Sequence, residues 1–382
     1  MRGRMLRIIA GLACGMTLAG GVAAEAQTRV WSVRTETLGW RYPYTATGTT
    51  GRRGPWYEAN DDFDLGEIWS HEVAVDTGGE VYVGFGVKGP GPGVNKLLRV
   101  VALEGQHGAV KRQMDFPTPR LDRTAVMLAA DGVALVVAGD RVQRWNGDGT
   151  VGNSIPIPPQ PKINPSLWAR LSPSGRTLLL TTDEISFQFV RMDTLATTAE
   201  CKKENDEIET IADNVAVSMA EDAEHQFELH AGTPCGAMPL LWKLPLGRSS
   251  SVHLLNDSAL LEIGGRGVKR LTLGDKTVWS WSAPVDLIPT DIGGVAISQN
   301  GERLAMELEL VHRLRPFGCM ECKGPEYESW GVSVAVLDAA TGRLVAQIPL
   351  DHTKLNGLGL ALSPDGRKLA VLNGDVLELW AL

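Results

Sequence analysis

The sequence predicts an all-β protein, a seven-bladed β-propeller of four-stranded antiparallel blades whose ring is closed by an N-terminal strand. Three observations predict this fold. The phrase "LSPDGRKLAVLNGDVLELWAL" at 362–382 recurs in weaker form along the chain. The nearest copies lie about 40–50 residues apart, which is the length of one blade. The segments around the copies are short apolar or alternating runs, as expected of strands.

The recurring phrase places a Ser-Pro-Asp-Gly turn between two apolar strands. Weaker copies are "LSPSGRTLLLTT" at 171–182, "ISQNGERLAMEL" at 297–308, "VDTGGEVYVGF" at 75–85 and "AADGVALVVAG" at 129–139. Abundant glycine and proline, 43 and 21 residues, are scattered along the chain and indicate turns rather than disorder. Blades are predicted to start near residues 73, 125, 169, 208, 252, 295 and 358. Seven is the predicted count, with six and eight as the alternatives.

The last unit contains only three strands, "LGLALSP", "KLAVLNG" and "VLELWAL". The segment "TRVWSVRTETL" at 28–38 alternates in the manner of a strand and is predicted to supply the fourth. Closing the ring in this way removes exposed sheet edges, which otherwise invite aggregation. We therefore expect residues 27–67 to form a closing strand and an aromatic loop, and residues 68–382 to form the propeller.

Residues 1–26 have the pattern of a signal peptide. Arg2, Arg4 and Arg7 precede an apolar stretch, and an Ala-Glu-Ala sequence at 24–26 favours cleavage before Gln27. The alternative is an uncleaved membrane anchor, for which the glycine-rich apolar stretch is short. The prediction is a periplasmic or secreted protein with no integral membrane segment once the signal is removed.

The charge of the chain argues against some classes of partner. The whole sequence carries a formal charge of −8, and removal of the signal, which has three arginines and one glutamate, leaves about −10. Nucleic acid and anionic membrane surfaces attract basic proteins, so neither is predicted as a partner. We expect a monomer that binds a protein or a small-molecule ligand.

The turns at 172–175 and 363–366 and the strand endings "LELW" and "VAVLDAATGRLV" resemble WD-repeat-like propellers. They are more similar to the exported bacterial group with quinoprotein amine dehydrogenase-like or YVTN-type repeats. The resemblance covers about residues 68–382 and is strongest in three blades. The Gly-His pair and the terminal Trp-Asp of true WD repeats are absent. The resemblance implies the fold, whereas the family contains scaffolds, lactonases and dehydrogenase subunits.

The most unusual segment is "VHRLRPFGCMECKGPEYESWG" at 311–331, between the second and third strands of the sixth blade. In a propeller that connection opens on the face of the channel mouth, where ligands commonly bind, and loops on a rigid scaffold often carry function. The alternative is a loop without a binding role, pinned by a disulfide. Candidate binding residues here are His312, Arg313, Arg315, Glu321, Tyr327 and Trp330.

A second candidate is the aromatic segment 39–70, which is long for a connection within a domain. It could grip a sugar or a peptide, with Trp56 and Tyr57 as the named binding residues, or simply pack its rings over the propeller. The acidic run at 200–209 could bind calcium, but it lacks EF-hand spacing and is better explained as a solvated loop between blades.

Four cysteines follow the signal, and an even number in an exported protein favours disulfides. We favour the pairs Cys201–Cys235 and Cys319–Cys322 among the three pairings that four cysteines allow. The first would close a loop of about 34 residues, with two free thiols as its alternative. For Cys319 and Cys322 the alternatives are a redox pair or part of a zinc site.

No catalytic motif is present: the sequence lacks HExxH, GxSxG and a Cys-His pair at a known spacing. The predicted function is therefore a binding or scaffold module acting through loops on the channel-mouth face. Whether it is also an enzyme is left open. The alternatives are a lactonase-type metal-dependent hydrolase, a dehydrogenase-associated subunit, or a structural component of an envelope complex. No cofactor is predicted, and a divalent metal belongs only to the enzyme alternative.

Overall fold

The computed structural model describes residues 27–39, 73–91, 94–118, 124–157, 169–181, 186–202, 207–221, 227–243, 250–264, 266–284, 287–313, 327–350 and 358–382. They form seven four-stranded antiparallel sheets, the blades of a β-propeller. In each blade the strands are called first to fourth from the central channel outwards. The predicted fold class is confirmed.

The first four blades follow the chain in order. The first contains β2 (Val73–Val75), β3 (Val81–Gly91), β4 (Val94–Leu103) and β5 (Val110–Pro117). The second contains β6 (Thr124–Leu128), β7 (Ala134–Ala138), β8 (Arg141–Trp145) and β9 (Val151–Pro156). The third contains β10 (Ala169–Leu171), β11 (Thr177–Thr181), β12 (Ser186–Arg191) and β13 (Ala196–Lys202). The fourth contains β14 (Glu207–Ile211), β15 (Ala216–Glu221), β16 (Phe227–Gly232) and β17 (Leu240–Lys243).

The remaining blades include the one that closes the ring. The fifth contains β18 (Ser250–Asn256), β19 (Ala259–Gly264), β20 (Gly267–Thr272) and β21 (Thr277–Ser282). The sixth contains β22 (Leu287–Ile297), β23 (Arg303–Arg313), β24 (Tyr327–Asp338) and β25 (Leu344–Pro349). The seventh contains β26 (Leu358–Leu362), β27 (Lys368–Asn373), β28 (Val376–Ala381) and, as its fourth strand, β1 (Thr28–Arg34), which a 3₁₀ turn at Thr35–Leu38 follows.

Strand β1 completes the seventh blade, as predicted. It pairs antiparallel with β28, from Thr28 opposite Ala381 to Arg34 opposite Val376. Its register shifts between Arg29 and Trp31, and the third-to-fourth strand pair of every other blade shows a shift of the same kind. Bulges of this kind protect an exposed edge strand from pairing with another chain. Strand β1 therefore pairs with the same kind of register shift as the fourth strands of the six other blades.

The repeated phrase corresponds to one tight turn between the first and second strands. In the seventh blade the buried Ser363 accepts the Lys368 N–H at its Oγ, and its carbonyl accepts the Gly366 N–H. Gly366 has φ of 68°, a left-handed conformation that glycine adopts without strain. Ser172 and Ser298 make the corresponding bonds in the third and sixth blades. The local chemistry of this turn explains why the phrase recurs.

The core is divided into seven hydrophobic clusters, one at each boundary between neighbouring blades. At the closing boundary, for example, Trp31 and Leu379 of the seventh blade share a cluster with Val83 of the first. Because each sheet is covered on both sides, strand residues that alternate between the two faces can both be buried. Stability is therefore distributed around the ring, as in other repeat proteins.

Six of the predicted blade starts lie within two residues of the observed ones, and the sixth is wrong. Its first strand begins at Leu287 rather than near 295. The register of β22 against β23 shifts between Thr290 and Val295, so the alternation is interrupted there. Pro289 and the glycines at 293 and 294 broke the pattern that the prediction relied on.

Candidate functional site

The antiparallel order of the strands gives the ring two different faces. The turns that join first to second and third to fourth strands lie on one side, which we call the turn face. The hairpins that join second to third strands, and the connections between blades, start and end on the other side, which we call the loop face. The predicted binding segments belong to the loop face.

Two second-to-third strand hairpins are longer than the others. In the first blade, β3 and β4 pair from Val81 opposite Leu103 to Gly91 opposite Val94. In the sixth blade, β23 and β24 pair as far as Arg313 opposite Tyr327. These hairpins carry ordered backbone towards the loop face from two blades that lie on either side of the seventh.

The hairpin that β23 and β24 form in the sixth blade is called the sixth hairpin below. It shows that the prediction of a loop over residues 311–331 is wrong at both ends of that segment. Residues 311–313 end β23, and residues 327–331 begin β24. The structure brings the backbone of four predicted binding residues onto this hairpin: His312 opposite Glu328, Arg313 opposite Tyr327, and Trp330 opposite Leu310. Of the other predicted site residues, Cys201 and Cys235 are described below, and the rest lie outside the described residues; they are Trp56, Tyr57, Arg315, Cys319, Glu321 and Cys322.

Two buried carboxylates on the same strand were not anticipated from the sequence. Glu307 is 3% exposed and Glu309 8% exposed. Glu307 lies opposite Val334, which belongs to the cluster between the sixth and seventh blades, so its side chain faces the seventh blade. Neither residue is without an interaction partner. They place two carboxyl groups inside the sixth blade, on the strand that also carries His312 and Arg313.

The turn face is held by hydrogen bonds between neighbouring blades. One oxygen of Asp213, in the fourth blade, accepts from three hydroxyls of the third: Ser172 Oγ at 2.9 Å, Ser174 Oγ at 2.6 Å and Thr177 Oγ1 at 3.3 Å. Asn214 donates to Asp257 of the fifth blade through its backbone N–H and its side-chain amide. Other blades are linked by Ala130 N to Gly175 O, Asn300 N to Pro364 O, and Lys368 Nζ to Gly78 O.

Gln299 joins opposite sides of the ring at this face. It lies in the first turn of the sixth blade, and its Nε2 donates to the carbonyl of Leu128 in the second blade at 2.7 Å. A Cβ placed at Gly175, in the third blade, would lie 2.7 Å from the same nitrogen. The side chain therefore reaches across the channel mouth. On the turn face the Gln299 side chain spans the mouth of the central channel.

A partly buried cluster of Glu80, Arg112, Tyr82 and Trp145 also lies towards the turn face and has a structural role. The carboxylate of Glu80 contacts Arg112, whose guanidinium donates to Tyr82 Oη at 3.0 Å and lies 5.1 Å from the ring centroid of Trp145. Burial, followed by the charge of Glu80, raises the pKa of Tyr82 above its ordinary value. The phenol stays protonated at neutral pH and cannot act there as a base.

Cys201 and Cys235 are joined as a disulfide between the third and fourth blades, with their Cα atoms 5.1 Å apart. Cys201 is in β13, and Cys235 is in the turn between β16 and β17. The acidic run at 200–209 is in part strand, since it begins at the end of β13 and finishes in β14; Glu204 and Asp206 lie outside the described residues.

The described residues contain no group of three or more His, Cys, Asp or Glu side chains arranged to hold a metal ion. Among those same residues, no helix has the length and apolar character needed to cross a membrane. Comparison with protein-family models and with curated proteins gives no match. The fold implied by the resemblance to WD-repeat-like and YVTN-type propellers is present, while that family assignment finds no support in these comparisons.

Proposed function

We propose that this protein is a binding scaffold that holds a protein or a small-molecule ligand on its loop face. The observation that carries the proposal is the difference between the two faces. Gln299 and the bonds between first turns occupy the channel mouth on the turn face, so a ligand would approach the channel from the loop face. Binding sites on β-rich scaffolds are commonly formed by such connections.

The sixth hairpin is the best-placed element for this role. Its strands carry His312, Arg313, Tyr327 and Trp330, and these residue types favour recognition. Aromatic residues and arginine are enriched where proteins bind one another, because they combine apolar area with hydrogen-bonding groups. The paired backbone of β23 and β24 would keep such residues at fixed spacing, which reduces the entropy lost on binding.

Site-specific photocrosslinking in cells that naturally produce the protein tests the proposal. A photoreactive phenylalanine would replace Tyr327 on the sixth hairpin in one variant and the exposed Arg343 on the turn face of the same blade in its matched control. We expect a discrete covalent adduct from position 327 and none from position 343. An adduct from position 343 alone, or none from either position, would contradict the proposal.

The hydrolase alternative is tested on the same purified protein. Native mass spectrometry with elemental analysis should show no stoichiometric divalent metal if the scaffold proposal is right. A stoichiometric divalent metal, together with a hydrolytic activity that is lost in E307Q or E309Q, would favour an enzyme instead. These two carboxylates are the relevant ones because they are buried beside the sixth hairpin.

A further inference from the structure

The boundary between the third and fourth blades has a small cluster of described apolar side chains. Its cluster of buried side chains is the smallest of the seven among the described residues. It contains Leu179, Phe187, Phe189, Ile208, Ile211 and Ala216. Ala199, Cys201 and Met238 pack against this cluster, so the apolar core at this boundary is in contact with one sulfur-bearing residue of the disulfide.

The outer edge of this boundary is also fastened in a different way. At three of the other six boundaries a side chain donates to the third-to-fourth strand turn of the next blade: Trp31 Nε1 to Gly105 O at 3.2 Å, Arg144 Nη1 to Met192 O at 3.1 Å, and Trp279 Nε1 to Ala339 O at 3.1 Å. Between the third and fourth blades the disulfide Cys201–Cys235 connects the fourth strand of one blade to the third-to-fourth turn of the next. The third-to-fourth turn of the fourth blade is therefore held to its neighbour by a covalent bond, whereas the corresponding turns of the first, third and sixth blades accept a hydrogen bond.

The two sulfurs differ in access. Cys235 is exposed, in a turn where the Gly236 N–H donates to Thr233 O and the Ala231 N–H donates to Pro239 O. Cys201 is half-buried and packs against the small cluster. Thiol–disulfide exchange depends on which sulfur an attacking thiolate can reach, and the exposed turn favours attack on Cys235.

We propose that this disulfide is a latch which an external dithiol opens while the propeller stays folded. The attacking thiolate forms a mixed disulfide with Cys235 and releases the Cys201 thiolate. The second thiol of the reductant then attacks its own sulfur in that mixed disulfide, leaving two protein thiols and one oxidised dithiol. Opening would loosen the outer side of the boundary, while the bonds from Ser172, Ser174 and Thr177 to Asp213 hold its channel side.

The test is hydrogen exchange of the full chain in native buffer, with and without dithiothreitol, followed by differential alkylation and peptide mapping. We expect reduction of Cys201–Cys235 with the β-sheet circular dichroism unchanged. Amides of β13 and of residues 227–243 should exchange several-fold faster, and those between the fifth and sixth blades should not change. Reduction that occurs only on unfolding, or that leaves exchange at this boundary unchanged, would overturn the proposal.

Variants separate the latch from other effects of the reductant. The double variant C201S/C235S should show the faster local exchange without any dithiol. The double variant C319S/C322S should respond to dithiothreitol as the natural chain does; loss of that response would assign the effect to the other cysteines and refute the latch. With glutathione disulfide, C201S should be modified at Cys235 several-fold faster than C235S is at Cys201, and equal rates would contradict preferred attack at Cys235.

Discussion

The two faces of this propeller are made by the same strands but by different kinds of connection. The first-to-second turns on the turn face are short, repeat one serine–glycine chemistry in three blades and bond to their neighbours around the channel. Connections on the loop face range from two residues between β7 and β8 to the 34 residues that separate the 3₁₀ turn from β2. Hydrogen bonds between the first-to-second turns of neighbouring blades lie on one face, and connections of widely different length lie on the other.

The largest expected effect comes from G175A on the turn face. Gly175 has φ of 73°, and an added Cβ would meet both the Ala130 N and the Gln299 side chain at 2.7 Å. Strain and collision together should lower the free energy of unfolding by about 3 kcal/mol. G301A is the matched control, since Gly301 has φ of 70° but open space around a Cβ; it should cost about 1 kcal/mol. Equal losses in urea unfolding would mean that the contact with Gln299 is unimportant.

The next largest effect is expected from D213A, which leaves the hydroxyls of Ser172, Ser174 and Thr177 without their shared acceptor. We expect a loss of about 2 kcal/mol, because hydrogen bonds to a charged group are stronger than neutral ones. The control is D140A on the loop face, where Asp140 is 81% exposed and lies 3.8 Å from Arg141. That variant should change stability by less than about 0.5 kcal/mol. If D140A proves as costly as D213A, the two faces do not differ as described.

A smaller effect is expected from Q299E. The substitution keeps the shape of the side chain but points a carboxylate oxygen at the carbonyls of Leu128 and Ala129, which cannot donate to it. Chemical unfolding at pH 7 should show a loss of about 1.5 kcal/mol. The loss should shrink at acid pH, where the carboxyl becomes a donor. A loss that is independent of pH would argue against the bridge across the channel.

The smallest effect concerns Asp338 in the third-to-fourth turn of the sixth blade. Burial alone would raise its pKa, but hydrogen bonds from Thr341 and the ion pair with Arg303 at 2.7 Å lower it. Because the pKa of Asp338 is lower in the folded state than in the unfolded chain, its ionised carboxylate stabilises the fold at any pH above the ordinary aspartate pKa. This stabilisation is lost as the pH falls through the lowered pKa of the folded state. D338N should therefore cost about 1 kcal/mol at neutral pH and less in acid. A difference between D338N and the natural chain that grows on acidification would contradict this assignment.

The fold was predictable because each blade carries its own local signals. The turn at Ser363 and Gly366 is specified by a serine that caps a backbone N–H and a glycine that accepts a left-handed conformation, and both lie within a few residues of each other. The closing role of β1 followed from an unfinished seventh blade. The start of β22 was missed because its pairing tolerates a register shift that no alternation rule anticipates.

The candidate site was harder to predict, for reasons that the fold makes clear. Glu307 and Glu309 alternate with leucines. In a sheet with one solvent-exposed face, this pattern would place the two glutamates in solvent. In a propeller each sheet is covered on both faces, so the alternation separates two buried sides instead. The partner of Gln299 lies in a blade on the opposite side of the ring, and no local pattern records a contact of that kind.

The pairing of Thr28 with Ala381 also has a consequence for how the chain folds. Residues 28–34 must wait for residues 376–381, more than 340 positions later in the chain, before the seventh blade can be completed, and contacts of such long sequence separation form slowly. Until then β28 and β1 each expose an unpaired edge, which is the state most prone to aggregation. The late, slow step of folding should therefore be ring closure, and substitutions at this pairing should slow refolding more than those within any single blade.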